Sequence, residues 1–263
     1  PVGDDERKRL LAEQIVAAHV AGGPLLIPAF AVERTQELIV DLIELMETAR
    51  APPAPIFLDS PLAIRASDVF LRHDGENAPF ERLRESRWLK FTEETRESRA
   101  IERVQGWHVI VAASGMCDAG RVRHHLKRLL WRPEATVLLT GFQAVGTLGR
   151  LLQAGRRAVR IQGHGVKVAA RVQSLDVYSG HADASGLVSW AQARGPVRGA
   201  VFMTHGEPEG VEGLECRLKA AGVAGGRVLA AELAQTSRLE PQGAAPEARR
   251  KPRLRTGAAA KLD

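Results

Sequence analysis

The stretch His108-Val109-Ile110-Val111-Ala112-Ala113-Ser114-Gly115 decides the fold. Its run of apolar residues predicts a strand that is buried on both faces, since a strand with one wet face would alternate polar and apolar residues. The Ser-Gly turn ends the strand, and a helix is predicted from there through Trp131. A buried strand that leads through a glycine turn into a helix is typical of an α/β protein with parallel strands.

The same alternation of strand and helix runs through most of the chain. Further strands are predicted at 25–27, 56–58, 88–91, 136–140, 159–161, 166–177, 200–203 and near Val228. Helices are predicted at 5–22, 33–50, 184–193 and 209–221, with another from Pro61 towards His73. The sequence therefore predicts an α/β fold in which helices cover both faces of a mostly parallel sheet.

The length and composition suit a globular protein with a large core. The 263 residues are 44% hydrophobic, which is enough for one large domain or two smaller ones. There is no run of about 18 apolar residues, so no membrane partner is expected. Cys117 and Cys216 are far apart and form no CxxC pair, which predicts two reduced structural cysteines in a cytoplasmic protein.

The formal net charge of +6 is concentrated near the carboxyl terminus. Residues 241–263 hold six Lys/Arg and two Asp/Glu, a contribution of +4, which leaves +2 for the rest of the chain. This tail is rich in Ala, Gly and Pro, and we expect it to be disordered. Any basic groove for nucleic acid in the body of the protein must therefore be local.

Four loops of unusual composition each follow a predicted strand directly. In open α/β sheets, ligands bind at the carboxyl ends of the strands, where glycine lets the backbone approach and helix N-termini offer free N–H groups to an anion. Together the loops favour a phosphate-bearing ligand. They are Asp59-Ser60-Pro61, Ser114-Gly115-Met116, Gly141-Phe142-Gln143 and Thr204-His205-Gly206.

Two histidines occur in motifs that suggest a reaction site. They stand in Tyr178-Ser179-Gly180-His181-Ala182-Asp183 and in Met203-Thr204-His205-Gly206-Glu207, each close to the end of a predicted strand. A catalytic zinc takes about three protein ligands and keeps one open position. Two histidines are too few for such a site, so they indicate part of a site rather than a whole one.

Taken together, these motifs resemble the β-CASP branch of the metallo-β-lactamase fold, a family of RNA-processing nucleases. The resemblance covers residues 1 to about 235 and includes the two histidine motifs. It also rests on segments that share order and spacing with the family: 27–38 (IPAFAVERTQEL), 59–63 (DSPLA), 113–117 (ASGMC), 120–126 (GRVRHHL) and 141–149 (GFQAVGTLG).

The resemblance implies a division of the chain. Residues 1–174 are similar to the β-CASP domain, residues 175–240 to the returning C-terminal part of a metallo-β-lactamase αββα fold, and 241–263 form the basic tail. In the family, the HxHxDH zinc motif precedes the β-CASP insertion, and the chain contains no such motif. We therefore expect the chain, which starts at Pro1, to lack the N-terminal metal-binding half and to be part of a longer protein.

The resemblance also implies roles for individual residues. His205 is expected to bind a zinc ion, and His181 to act as a general acid or to stabilise charge beside the scissile phosphate. Asp183 either orients His181 or caps the helix that follows. His124 and His125 are expected on a solvated helix face. The RNA groove is expected to include Arg34, Ser60, Ser114, Gly115, Gln143 and Gly146, although Arg34 suits the surface of a helix equally well.

The function implied by the resemblance is zinc-dependent hydrolysis of RNA, with two Zn²⁺ ions in the complete active site. A noncatalytic homologue that binds RNA or a nuclease partner is the alternative, and a DNA-directed nuclease ranks lower. The sequence leaves the oligomeric state open, with a homodimer as one option.

Overall fold

The computed structural model describes residues 2–73, 83, 85–197, 199–231, 235–240 and 243–246. They form two compact units, Pro1–Gly180 and His181–Asp263, which are described separately below. The division falls six residues after the predicted boundary at 174/175. Within the described residues, no helix combines the length and the apolar character needed to span a membrane.

A six-stranded, all-parallel sheet forms the centre of the first unit, with the strand order β3-β2-β4-β1-β5-β8. The predicted α/β class with a mainly parallel sheet is therefore confirmed. The strands are β1 (Leu25–Pro28), β2 (Ile56–Leu58), β3 (Leu89–Phe91), β4 (Val109–Ala112), β5 (Thr136–Leu139) and β8 (Arg171–Ser174). The helices are α1 (Asp4–Ala21), α2 (Arg34–Glu47), α3 (Pro61–His73), α4 (Thr95–Ala100), α5 (Val122–Leu129) and α6 (Leu148–Gln153), with a 3-10 turn at Ile101–Arg103.

Apolar residues lie on both faces of this sheet. Every residue of β1, β4 and β5 is buried, as the continuous apolar runs predicted. Because successive side chains of a strand point to opposite faces, Val109 and Val111 join one core cluster while Ile110 and Ala112 join another. The first cluster includes residues of α1 and α2, and the second includes residues of α5 and α6.

The region predicted as one strand at 166–177 contains two strands. The first, β7 (His164–Lys167), pairs with β6 (Ala158–Ile161) in an antiparallel hairpin, and the second, β8, joins the central sheet. The hairpin turns at Gln162 and Gly163, whose φ angles of 51° and 80° are both positive. Two successive residues with positive φ are the requirement of a type I′ turn, which matches the twist of a two-stranded hairpin.

The start and the end of the first unit are in contact. Tyr178 is 1% exposed, and its hydroxyl donates a hydrogen bond of 2.8 Å to Asp41 Oδ2 on α2. Arg7 on α1 binds the same carboxylate, with 2.8 Å between Nε and Oδ2, and its guanidinium lies 5.5 Å from the centre of the Tyr178 ring. Burial raises the pKa of Tyr178, so the phenol stays a donor at all ordinary pH values.

The second unit is smaller. Helices α7 (Ala184–Gln192) and α8 (Pro208–Ala220) accompany the parallel pair β9 (Val201–Met203) and β10 (Val228–Ala230), and a 3-10 turn spans Val223–Gly226. Its core contains Ala191, Met203, Leu218, Val223, Ala224 and Val228. An antiparallel pair follows, β11 (Ser237–Glu240) and β12 (Gly243–Pro246), so four residues of the predicted disordered tail form a strand. Residues 241–242 and 247–263 of that tail lie outside the described residues.

Candidate functional site

Three of the four predicted loops lie at one edge of the central sheet. Because the strands are all parallel, the segments after β2, β4 and β5 leave the sheet at its carboxyl edge. This is the edge where ligands bind in α/β sheets. The fourth loop, which contains His205, follows β9 in the separate two-stranded sheet of the second unit.

Three of the predicted RNA-groove residues belong to one row of contacts across this edge. The Arg34 guanidinium lies 4.7 Å from the centre of the Phe30 ring, and its Nε donates to the carbonyl of Tyr178 at 3.0 Å. The Phe30 ring packs over Gly115, where an added Cβ would approach the ring to 2.6 Å. Gly115 is therefore required to be glycine by this packing. Its carbonyl in turn accepts a 3.0 Å hydrogen bond from Gln143 Nε2.

Gln143 connects the loops that follow β4 and β5. The side chain is 1% exposed, and its Nε2 donates to the carbonyls of Gly115 and Gly141 at 3.0 and 2.9 Å. Its Oε1 faces Gly149 at the start of α6, where an added Cβ would come within 1.7 Å of that oxygen. The buried amide fixes the shape of the loops, and its predicted contact with RNA stays a prediction.

Backbone hydrogen bonds strengthen the same connection. The N–H of Gly149 donates to the carbonyl of Met116 at 3.0 Å, and that of Leu148 donates to Asp118 Oδ1 at 2.9 Å. Within the loop after β4, the N–H of Ala119 donates to Ser114 Oγ at 3.3 Å. The predicted groove residue Ser114 is thus half-buried and stabilises its own loop.

The remaining groove residues differ in exposure. Ser60 is 5% exposed and its Oγ accepts a 3.3 Å hydrogen bond from the N–H of Ala63, so it caps the start of α3. Gly146 is exposed and has a φ of 88°, a backbone conformation that glycine adopts at low cost. Of the two, Gly146 is the one accessible to a ligand.

The most strongly bonded group at this edge is Asp59, which the sequence placed in a ligand-binding loop without predicting its buried partners. Asp59 is fully buried and accepts hydrogen bonds from Arg121 Nη1 at 2.7 Å, Ser98 Oγ at 2.6 Å and Thr92 Oγ1 at 2.8 Å. His125 Nε2 lies 2.6 Å from its Oδ2. Burial alone would raise the pKa of Asp59, but the hydrogen bonds from His125, Ser98 and Arg121 outweigh it and lower the pKa to about 2.

The prediction that His124 and His125 share a solvated helix face is wrong for His125. His124 is exposed, whereas His125 is 4% exposed and packs against Asp59. Consecutive residues of a helix point about 100° apart, so one of the pair can be wet while the other is buried. One signal in the sequence pointed to the burial of His125. Arg121 precedes it by four residues, so the two side chains share a helix face, and Asp59 follows a buried strand that such a face can cover.

In the second unit, Asp183 caps α7. Its Oδ1 accepts hydrogen bonds from the N–H of Gly186 at 2.7 Å and from Ser185 Oγ at 2.6 Å, which lower the pKa of Asp183 to about 2. Of the two roles that the sequence left open, the helix cap is the one observed. His181 is exposed two residues earlier, and its role as a general acid stays a prediction.

His205 has an unusual backbone conformation. Its φ is 61°, in the left-handed region that few residues other than glycine occupy. Residues held in this region cluster at functional sites and cost about 1–3 kcal/mol each. His205 is exposed and lines a largely apolar cavity of about 370 Å³ together with Trp190, Phe202 and Met203.

Comparison with known proteins identifies the fold family. A model described as the Beta-Casp domain matches residues 35–152, and one described as the Zn-dependent metallo-hydrolase RNA specificity domain matches residues 165–229. The chain belongs to the β-CASP family of the metallo-β-lactamase fold. The row from Arg34 to Gln143 and the Asp59 cluster both lie within or next to the β-CASP match.

Individual β-CASP relatives extend over more residues than this chain. This chain is 39% identical over 196 residues to ribonuclease TTHA0252 of Thermus thermophilus, and the match covers 72% of the chain and 44% of that protein. It is 30% identical over 201 residues to an RNase J-like protein of Methanocaldococcus jannaschii, covering 76% and 47%. It is 31% identical over 199 residues to transcription termination factor FttA of Methanosarcina mazei, covering 71% and 31%. The chain thus spans less than half the length of these relatives.

The described residues of this β-CASP chain do not by themselves fit a catalytic zinc site. Among them, no group of three or more His, Cys, Asp or Glu side chains is arranged to hold a metal ion. A catalytic zinc takes about three protein ligands. His205 offers one exposed imidazole, a suitable ligand when neutral, and one ligand is too few to hold a catalytic zinc.

Proposed function

We propose that the chain is the RNA-binding portion of a zinc-dependent ribonuclease that hydrolyses phosphodiester bonds. Membership of the β-CASP family supports this proposal, as does its similarity to a ribonuclease and an RNase J-like protein. The observation that carries it is the row Arg34–Phe30–Gly115–Gln143 at the carboxyl edge of the sheet. It brings the half-buried cation of Arg34 and the half-buried ring of Phe30 to the edge of the sheet where ligands bind, and single-stranded nucleic acid binds to cations and aromatic rings.

The metal in this proposal is zinc, with two ions in the complete active site and His205 as one ligand. The match to a Zn-dependent metallo-hydrolase model supports metal use in the family. The remaining ligands have to come from residues other than those that the structure describes. In such a site zinc would supply an activated water and stabilise charge on the phosphate.

His181 has the role of a general acid in the proposed reaction. Its position in an exposed loop directly before α7 leaves the imidazole accessible to a substrate. Asp183 holds that loop in place by capping the helix, so it acts as a positioning residue. Phosphodiester hydrolysis needs a proton for the leaving oxygen, and an imidazole is suited to provide it near neutral pH.

RNA rather than DNA is the proposed substrate. The second family model is described as an RNA specificity domain, and the similar proteins include a ribonuclease and a transcription termination factor. The cytoplasm is the proposed location, because Cys117 and Cys216 are both free thiols. Burial raises the pKa of Cys117 to about 12, so this thiol is unreactive.

The decisive experiment compares a labelled single-stranded RNA with the DNA of the same sequence. The protein is produced from its full reading frame and loaded with zinc. We expect cleavage of the RNA and little or no cleavage of the DNA. Equal or faster cleavage of DNA contradicts the RNA proposal, and the absence of any cleavage with tight RNA binding supports a noncatalytic homologue instead. Arg34→Gln should weaken RNA binding, whereas Arg65→Gln on the exposed side of α3 serves as the control.

A further inference from the structure

The β6–β7 hairpin carries an unusual concentration of cations. The sequence has no Asp or Glu between Glu134 and Asp176, although that stretch contains six Lys/Arg. Four of them lie at the hairpin and are exposed: Arg156, Arg157, Arg160 and Lys167. We call this set the hairpin cations. The body of the chain therefore has one local basic surface even though its overall charge is small.

The two faces of the hairpin differ sharply. Val159, Ile161 and Val166 are buried in the second core cluster, so the inner face anchors the hairpin to the first unit. On the outer face, Arg160 is paired with Gly165 and Lys167 with Ala158. Arg160 and Lys167 are diagonal neighbours, about 7–8 Å apart at their β carbons. Arg160 and Lys167 thus share this face with Ala158 and Gly165, whose side chains are too small to cover the two cations.

Among the residues that the structure describes, the hairpin cations have no carboxylate partner. Several other cations of the first unit are bound by carboxylates: Arg7 by Asp41, Arg121 by Asp59, Arg128 by Glu102 and Arg132 by Glu134. By contrast, no described residue forms an ion pair with any of the four hairpin cations. Lys127 Nζ adds a further positive charge nearby, 3.4 Å from Gln162 Oε1 at the turn. Because these positive charges repel one another, the surface favours the binding of an anionic partner.

We infer that the hairpin cations, with Arg160 and Lys167 on the outer face, bind the phosphate backbone of single-stranded RNA, as a second contact surface in addition to the carboxyl edge of the sheet. The inference rests on the proposed function, since RNA is the proposed substrate. The outer face has no aromatic ring for base stacking and no acceptor for base edges. It therefore binds phosphates without regard to sequence.

An acidic protein partner is the competing occupant, and the surface suits it less well. The centres of protein interfaces hold large apolar or aromatic anchors that fill pockets. Between the cations, the outer face offers only Ala158 and Gly165, and an added Cβ at Gly165 would meet open space. A flexible chain of evenly spaced negative charges needs no pocket, and RNA is such a chain.

The test uses the 263-residue chain and a labelled oligouridylate, with binding followed by fluorescence anisotropy at several salt concentrations. In the test variant, the four hairpin cations are replaced by Gln. The control variant carries Arg9→Gln, Arg65→Gln, Arg96→Gln and Lys219→Gln, which remove the same charge from other surfaces. Circular dichroism and thermal unfolding establish that both variants fold.

We expect the test variant to bind RNA at least about tenfold more weakly than the wild-type chain. The slope of log K against log salt should become shallower by about 3, because each of four phosphate contacts of a single strand contributes about 0.7.

The outcomes separate this inference from the proposed function. If the wild-type chain binds RNA and the test variant binds it equally well, the hairpin inference is wrong and the proposed function stands. If both variants weaken equally, net charge rather than the hairpin is responsible, and the inference is again wrong. If the wild-type chain prefers polyglutamate to RNA of equal charge, the surface is one for an acidic protein. If the chain binds no RNA at all, both proposals fail. Restoring Arg160 alone in the test variant should recover part of the affinity.

Discussion

His125 Nε2 lies 2.6 Å from Asp59 Oδ2, and both side chains are buried beneath the carboxyl edge of the sheet. Arg121 binds the other oxygen of the same carboxylate at 2.7 Å. A helix and a strand end that are more than sixty residues apart in sequence are thereby held together by charge. Groups of this kind are costly to break one member at a time, because the partners left behind are buried without compensation.

Replacement of Asp59 should therefore destabilise the protein strongly. We expect Asp59→Ala to lower the free energy of unfolding by about 3–5 kcal/mol, the usual cost of removing one partner from a buried ion pair. Urea denaturation of the 263-residue chain measures it. The control is Asp4→Ala, which removes an exposed carboxylate paired with Arg7 and should cost no more than about 1 kcal/mol. Similar losses for the two variants would show that the Asp59 cluster is not a specific source of stability.

Replacement of Gly149 by Ala tests how much the contact between the loops after β4 and β5 contributes to stability. An added Cβ would overlap Gln143 Oε1, so Gly149→Ala must displace the buried amide from the carbonyls of Gly115 and Gly141. We expect a loss of about 1–3 kcal/mol, the typical cost of overpacking, despite the gain in helix propensity. Thermal unfolding gives the comparison. Gly165→Ala is the matched control, expected within about 0.5 kcal/mol of wild type because its Cβ enters open space.

The lowered pKa of His108 should make the free energy of unfolding depend on pH. This residue is 4% exposed, and burial lowers its pKa, while its Nδ1 lies 2.9 Å from the carbonyl of Gly106. The unfolded chain then takes up a proton at higher pH than the folded one, so stability is full above about pH 6.5 and falls as the pH drops below it. His108→Gln should flatten the dependence of the unfolding free energy between about pH 7.5 and 5.5. The exposed His124→Gln should leave the slope as it is, and an equal change in both variants would contradict the assignment.

Replacement of His205 and replacement of His181 should have different effects on the metal content and the cleavage rate. In zinc-loaded protein from the full reading frame, we expect His205→Ala to lower metal content and RNA cleavage together, because it removes a ligand. His181→Ala should lower the cleavage rate by about 10²- to 10⁴-fold, the range for a general acid, and keep the metal. Elemental analysis and cleavage assays on the same samples measure both. Loss of zinc from the His181 variant would reverse the assigned roles, and His124→Ala is the control.

The 263-residue chain alone should hold zinc weakly. One imidazole at His205 cannot replace the three protein ligands of a catalytic site. After equilibration with zinc and dialysis, we expect much less than one ion per chain and no cleavage of RNA. One tightly held zinc per chain would mean that further ligands lie within these 263 residues.

Much of the fold could be predicted because its signals are local. The apolar runs at β1, β4 and β5 predicted buried strands, and the glycine turns after β4 and β5 predicted the edge of the sheet at which the candidate site lies. The Asp59 cluster could not be predicted in the same way, since Arg121 and His125 lie 62 and 66 residues from Asp59. Arg121 shares a helix face with His125, but only the distant contact with Asp59 shows that His125 is buried while His124 beside it is exposed. The same holds for Arg34, whose partner Tyr178 is 144 residues away.

Asp183 shows a related limit. The sequence allowed it to orient His181 or to cap a helix, and the structure shows the cap. Both roles use the same carboxylate in the same loop, so local sequence could not separate them. Any loss of activity in an Asp183 variant must therefore be compared with the helix content of the second unit before it is assigned to chemistry.

The bond between Tyr178 and Asp41, with Arg7 beside it, joins the first helix of the unit to its last segment. In a domain whose first and last segments are bonded in this way, the two connections to a host domain lie close together. It can be carried as an insertion without forcing the host's own elements apart. The same closure makes the unit a candidate for circular permutation, with new ends opened at the Gln162-Gly163 turn and the old ends bridged by a short linker.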